Sequence, residues 1–152
     1  MNYSIQDIEN KIIATLSPLA TDSGGDVNTL DTYRGQFGDG ALMEEDALLL
    51  CPAILVRYIE STYDPDGGSS YETRIRFALY HASSNLAPEE RKQDVLNLLY
   101  KSKALLNLND LGLDIAPLTI ERETMVTSSK NVTVYSAFYS TGFQEDVTKY
   151  SA

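Results

Sequence analysis

Histidine, cysteine and tryptophan are almost missing from this sequence. Its 152 residues include one histidine, one cysteine and no tryptophan. Because Cys51 is alone, an internal disulfide is excluded, and only carboxylates are left to build most of a metal site. We find no signal peptide and no apolar run long enough to cross a bilayer. The sequence therefore predicts a protein that is made and kept in a reducing cytoplasm, with no membrane partner.

Positive charge is also scarce. Twelve lysines and arginines stand against 22 aspartates and glutamates, which gives a net charge of −10. Proteins bind nucleic acid mostly by neutralising phosphates with lysine and arginine, so this balance disfavours a nucleic-acid-binding face. It is compatible with a protein that surrounds DNA without gripping it.

The motifs of common enzymes are absent as well. The sequence has no G-x-S-x-G nucleophile elbow and no phosphate-binding loop. Asp64–Gly68 resembles the start of a calcium loop, but Gly68 stands where that loop needs its third side-chain ligand. His81 falls on the apolar side of a strand, which favours a buried, hydrogen-bonded histidine, and Cys51 precedes a proline in an apolar run, which favours packing. We therefore expect no enzyme, no cofactor and no metal site.

The first third of the chain combines one clear helix with weaker signals. Ser4 and Asp7 form a capping pattern, and apolar residues recur at helical spacing from Ile5 to Leu16. Val27–Tyr33 predicts a strand, and Ala41–Leu50 predicts a short helix. The acidic residues expected on a solvated face around that second helix are Asp39, Glu44, Glu45 and Asp46.

The middle of the chain predicts a long antiparallel hairpin. Two strand-like stretches, AILVRYIESTY and YETRIRFALYHA, flank the turn-forming segment Asp64–Ser70. In the second stretch, alternation places Ile75, Phe77 and Leu79 on one face. Glu72, Arg74 and Arg76 then share the other face, which is either solvated or in contact with a partner.

The last part of the chain predicts a helix followed by a second hairpin. The helix begins at Pro88 and ends near Asn107, and its apolar stripe comprises Val95, Leu98, Leu99, Leu105 and Leu106. An alternating strand after Leu118 and the stretch VTVYSAFYSTGF form the hairpin. Since strands cluster in hairpins, we predict one domain over residues 1–152 of the α+β class. It comprises a mostly antiparallel sheet with two main helices packed on one face.

The segment Asn107–Leu118 joins the second helix to the second hairpin and is too apolar for an ordinary surface loop. We expect it to fold over the end of the sheet, with Leu113 and Ile115 as plugs. Gly112 permits a sharp bend, and Pro117 sets the entry into the next strand. Closing the core is the favoured role, and binding a partner is the alternative.

Tyrosine and the last strand indicate an assembling subunit. The chain has ten tyrosines, and the last strand is apolar or aromatic on both faces, so both faces need cover. Tyrosine is common at interfaces, where one end is buried and the other meets polar groups. The candidate contact residues, toward another subunit or a tube, are Asp64, Asp66, Glu72, Arg74 and Arg76.

Six segments together resemble a known family. In chain order they are Ile8–Leu16, Thr32–Phe37, Pro52–Val56, Asp94–Leu99, Leu111–Leu118 and Val134–Thr141. They are similar to the Mu-type phage tail-completion, or tail terminator, proteins of contractile tails. The most specific segment is L-G-L-x-I-x-P-L at Leu111–Leu118, which follows a helix and leads into a strand.

The resemblance implies a structural virion protein without catalytic residues. It implies a ring of the protein with itself, a homohexamer, that caps the head-proximal end of the tail tube of a phage or of a phage-tail-like particle. The ring would end tube polymerisation and offer a surface to the head or neck. The implied partners are the tail tube protein, the sheath and the neck or head-completion proteins, while DNA only passes through the lumen. Assembly would take place in the cytoplasm of the host bacterium. A head-to-tail adaptor is the nearest alternative, and a monomeric binding module or hydrolase is the distant one.

Overall fold

A computed structural model describes residues 2–34, 51–84, 87–128 and 132–148. The helices are α1 (Ile5–Leu16) and α2 (Pro88–Leu106), and short 3-10 turns occupy Ser17–Leu19 and Thr21–Ser23. The strands are β1 (Thr29–Thr32), β2 (Ala53–Pro65), β3 (Ser70–Ser83), β4 (Thr119–Ser128) and β5 (Thr133–Asp146). The helix predicted over Ala41–Leu50 and its acidic group lie outside the described residues.

Helix α1 begins where its capping pattern predicts. The Asp7 amide donates to Ser4 Oγ over 3.0 Å, and the Ser4 amide donates to Asp7 Oδ2 over 3.1 Å. These two bonds satisfy amides that have no partner inside the helix. Ile8, Ile12 and Leu16 are fully buried, so the predicted apolar stripe is confirmed.

The five strands form one sheet in the order β1-β2-β3-β5-β4. The two predicted hairpins, β2–β3 and β4–β5, are confirmed, and β3 joins them by pairing antiparallel with β5. Strand β1 differs from the rest because it runs parallel to β2. Parallel neighbours need a connection of about a dozen residues or more, and the segment from Tyr33 to Pro52 is long enough. The α+β class is therefore confirmed, with one parallel pair in a mostly antiparallel sheet.

Both helices pack on the same face of the sheet, which we call the helix face. Helix α1 lies on β1 and β2, and α2 lies on β3 and β5. Ile75, Phe77 and Leu79 are buried beneath them, as predicted. We call the opposite side the open face, because neither described helix covers it. Glu72, Arg74 and Arg76 lie there.

The open face has its own small core at one end. Leu55 and Val134 are fully buried there, and the side chains of Tyr33 and Tyr80 pack over this group. The remaining buried members are Ala53, Ala82 and Val132. Toward the Asp64–Ser70 turn the same face becomes polar. Strand β5 is thus buried along much of both faces, as its sequence predicts.

The segment after α2 closes the core. Leu118 is fully buried, while Leu111 and Ile115 are 7% and 9% exposed. Leu113 is only half-buried, so Ile115 alone fits the predicted description of a plug. Gly112 has a φ of +72°, a left-handed conformation that glycine adopts without strain. The Ala116 amide donates to the Gly142 carbonyl over 2.8 Å, which fixes the segment to β5.

Replacing Ile115 by aspartate tests this closing role. The Ile115→Asp variant would bury an unpaired carboxylate, so we expect its free energy of unfolding to fall by about 3–5 kcal/mol. Urea unfolding of the purified protein measures the change. The matched control is Ala116→Asp, which adds the same charge at the neighbouring exposed position. Equal stabilities of the two variants would contradict a core position for Ile115.

Candidate functional site

The candidate contact residues lie together on the distal half of the β2–β3 hairpin. Asp64, Asp66, Glu72 and Arg74 are exposed. Asp66 is tied to the fold, because its amide donates to the Ser70 carbonyl over 2.9 Å and its carboxylate accepts from Gln144. The structure therefore brings the predicted residues onto one continuous surface, formed by the turn and the adjacent open face.

Two acids of this surface stand directly opposite each other. Asp64 on β2 is paired in register with Glu72 on β3, and opposed like charges on neighbouring strands are destabilising. Neither carboxylate forms an ion pair with a basic group of the described chain. The pair therefore presents a local negative charge that a basic group from outside would neutralise.

Arg76 forms the centre of a charge cluster on the open face. Its Nε donates to Glu121 Oε1 over 2.6 Å, its Nη2 donates to Glu121 Oε2 over 3.2 Å, and its Nη1 contacts Glu60. The hydrogen bond from Arg76 lowers the pKa of the Glu121 carboxyl, and the same bond raises the pKa of Arg76. The three residues belong to three different strands and cross-link the polar face.

Small residues on β5 make room for these long side chains. Ser140 lies opposite Arg76 in register, so the guanidinium passes over it to reach β4. Arg74 donates to Ser140 Oγ over 3.0 Å. At Gly142 an added Cβ would lie 3.1 Å from the Thr73 carbonyl oxygen, so the close approach of the two strands favours glycine there. A shallow cavity of about 370 Å³ results, lined in part by Asp64, Glu72, Arg74 and Gly142.

Two arginines stack on aromatic rings elsewhere on the open face. The guanidinium of Arg122 lies 4.4 Å from the ring centre of Phe138, and that of Arg57 lies 5.2 Å from the ring centre of Tyr33. Arg57 also donates to the Tyr80 hydroxyl over 2.8 Å. Arginine held flat on a ring keeps its outer edge available for hydrogen bonding. The open face therefore combines charge and aromatic surface, as protein interfaces do.

The alternating sequence pattern did not identify Glu60 and Glu121, the two acids that bind Arg76. Strict alternation along β4 places Glu121 and Arg122 on opposite faces. The register shifts between Ile120 and Arg122, and this bulge lets both Glu121 and Arg122 face the open side. Glu60 follows a similar shift after Tyr58 on β2. The sequence does show an excess of charged residues on the predicted strands, which indicates that such partners of Arg76 exist. That excess does not show where a bulge lies, and so it does not identify the partners.

The described parts of the chain show no cluster of metal-ligand side chains and no helix that could span a membrane. Within residues 2–34, 51–84, 87–128 and 132–148, no three histidine, cysteine, aspartate or glutamate side chains lie close enough to hold a metal ion. No described helix is long and apolar enough to cross a membrane. The polar groups of the open face are suited to recognition by charge and shape.

The single histidine belongs to the core beneath α2. His81 is fully buried, with Nε2 2.7 Å from Ser102 Oγ and Nδ1 3.3 Å from the Tyr135 carbonyl oxygen. A carbonyl only accepts, so Nδ1 carries the proton in the bond to Tyr135, while Nε2 pairs with the Ser102 hydroxyl, which also lies 3.1 Å from the Leu99 carbonyl oxygen. Burial lowers the pKa of His81 from 6.5 to about 4. The prediction of a buried, hydrogen-bonded histidine is confirmed.

This histidine gives stability a dependence on pH. Between pH 6.5 and about 4 the unfolded chain binds a proton at His81 that the folded chain does not. Stability is therefore full above pH 6.5 and falls as the pH drops, by about 3 kcal/mol over this window. Urea unfolding across the window should show a shallower decline in His81→Gln than in the wild type. Identical declines in the two proteins would refute this assignment, since the carboxylates that titrate in the same range are common to both.

Comparison with known families gives one match that covers nearly the whole chain. The family described as Bacteriophage Mu, Gp37 matches residues 4–145, and comparison with curated proteins gave no match. The matched range includes both helices, all but the last residue of the sheet and the polar surface described above. The resemblance to a Mu-type phage family is thereby confirmed. The chain belongs to the Bacteriophage Mu Gp37 family, which indicates a structural protein of a phage and a component of the virion.

Proposed function

We propose that this protein assembles into a ring, a hexamer by analogy, that caps the head-proximal end of a tail tube. The ring ends tube polymerisation and offers the surface to which the head or neck attaches. Its partners are other copies of itself, the tail tube protein and, around them, the sheath and neck proteins. Two observations support this proposal together: family membership, and a sheet face that is polar toward the Asp64–Ser70 turn and is covered by neither described helix.

The observation that carries the proposal is the open face with its hairpin turn. A sheet buried by helices on one side normally has a solvated polar second side. Here that side is cross-linked through Arg76, stacked with two arginine–aromatic pairs and bordered by the opposed acids Asp64 and Glu72. A rigid surface of alternating charge fixes register and selects partners more than it adds affinity. Such a surface suits contact with a ring of repeating subunits.

A tail cap has two physical requirements that this chain meets in different ways. Stopping growth requires one ring surface that fits the last tube ring and another that does not repeat the top of the tube. A chain whose helix face and open face differ this strongly presents two unlike sides. Passing DNA requires a lumen that does not grip phosphate, and a net charge of −10 suits that requirement because like charges repel.

Deletion of the gene tests the cap function. Without the protein, tubes should reach irregular lengths and fail to join heads, while the tube protein itself remains folded. Electron microscopy of particles from the deletion strain, with the gene restored in trans as the control, measures the length distribution. Tails of normal length that fail only in head joining would reject the cap and favour a head-to-tail adaptor.

Charge reversal tests the open face as the contact surface. The double variant Arg74→Glu/Arg76→Glu should abolish ring or tail assembly, because it places acids beside Glu60, Glu121 and Glu72. Exposed ion pairs contribute little to folding, so the monomer should stay folded by circular dichroism. The yield of intact particles after complementation is the measurement.

A matched control reverses two basic residues on the helix side. Lys101 and Lys103 pair with Asp26 and Glu123 over 3.3 and 3.2 Å, so Lys101→Glu/Lys103→Glu changes the net charge equally and also breaks ion pairs. This control should assemble. Wild-type particle yield from the Arg74/Arg76 variant would remove the open face from the interface.

A further inference from the structure

One buried carboxylate of the chain lacks a complete set of partners. Glu145, near the end of β5, is 3% exposed, and its Oε1 accepts from the Thr73 hydroxyl over 2.6 Å. Its Oε2 has no hydrogen-bond partner among the described residues. Among the described residues, the Tyr139 hydroxyl is the other buried side-chain oxygen without a hydrogen-bond partner. It is uncharged and lies beside Ser102. A buried carboxylate oxygen without a donor is far more costly than a hydroxyl.

Glu145 lines a cavity that reaches the surface. The cavity has a volume of about 390 Å³ and lies between the start of α1 and the β2–β3 hairpin. Tyr3 and Tyr63 contribute aromatic walls, and Ser61 and Thr73 contribute hydroxyls. Tyr63 is 52% exposed, so the cavity can be entered from solvent. Tyr3 is held in place by the Asp114 amide, which donates to its hydroxyl over 2.9 Å.

The chemistry of the cavity calls for a cation on an aliphatic stem. Glu145 is the sole charged group among its described lining residues, and a donor placed at Oε2 would complete its hydrogen bonding. Aromatic walls favour a cation at the same place. An ammonium or guanidinium group from another protein chain satisfies both requirements. Among the described residues of this chain, none supplies one.

We propose that the cavity receives the ammonium group of Lys92 from the neighbouring copy in the ring, an inference that rests on the proposed ring. Eight of the ten described basic side chains have a partner within the chain. Lys11 and Lys92, both exposed, are the two for which the described structure shows no ion pair or hydrogen bond. Among the described residues, these two are therefore the cations that a contact between copies can use without breaking an interaction inside the chain.

The position of Lys92 selects it over Lys11. Lys92 follows Arg91, whose Nε donates to Thr133 Oγ1 over 3.1 Å at the Ser83 end of the sheet. The cavity lies at the Thr73 end, ten residues away along β3 and thus roughly 33 Å distant. A contact between opposite ends of two copies is heterologous, and it generates a ring when the rotation between neighbouring copies closes. Lys11 lies on α1, which begins at the cavity, so its use would bring like ends together and close a pair.

A double-mutant cycle tests the pairing. Glu145→Gln and Lys92→Met should each weaken association of the copies by about 30-fold or more, measured by mass photometry over a dilution series. The copies of the double variant should associate no more weakly than those of the weaker-associating single variant, because both changes remove the same contact. Lys11→Met is the matched control and should associate like the wild type.

The outcomes separate this inference from the ring itself. Additive losses, or wild-type association of Lys92→Met, would overturn the pairing while rings still form. Because Lys92 is exposed, the Lys92→Met variant should fold. Its association can therefore be measured even if Glu145→Gln fails to fold. If the wild type forms no rings, the proposed ring fails, and the cavity is then tested with a free probe. Nα-acetyl-lysine methylamide should shift the NMR signals around Thr73, whereas its norleucine counterpart should not. Absence of a shift, or a shift that persists in Glu145→Gln, would overturn the cavity assignment as well.

Discussion

The double-sided burial of β5 is the constraint on which the rest of the structure depends. This strand pairs with both β3 and β4 and is buried along much of both faces, so one layer of helices cannot cover it. Helices α1 and α2 cover one face, and the group around Leu55 and Val134 covers one end of the other. The remaining part of the open face is polar and held by ion pairs. This ordered polar region is the part of the sheet that the proposed contacts between subunits would use.

The helices and hairpins could be predicted from the sequence because their signals are local. The capping pair Ser4 and Asp7, the proline at the start of α2 and the turn chemistry of Asp64–Ser70 act over a few residues. The pairing of β3 with β5 and the parallel run of β1 are contacts between distant segments, which periodicity does not encode. Among the candidate contact residues, alternation placed Glu72, Arg74 and Arg76 on the correct strand face. Their partner Glu121 was missed because a bulge on β4 breaks that alternation.

His81 and Glu145 are two buried polar residues on the helix face. They differ in whether the chain itself supplies all of their hydrogen-bond partners. The His81 imidazole has partners at both nitrogens, from Ser102 and Tyr135, and its charge is suppressed by the surrounding core. Nothing outside the chain is needed to complete it. Glu145 has one oxygen bonded and one facing a cavity that opens to solvent. A polar group that is complete within the chain stabilises the fold, whereas an incomplete one can still accept a hydrogen bond from a group outside the chain.

The strong acidity of the chain makes the placement of each basic group matter. Copies with a net charge of −10 repel one another, so association requires positive groups at defined places. Six of the ten described arginines and lysines are engaged with acids or aromatic rings of their own chain, and Arg76 is engaged with two acids at once. Among the described residues, this leaves few cations to join copies and many acids to keep them apart. Such an imbalance favours one geometry of association over others, and a ring of identical subunits requires one repeated geometry whose rotation closes.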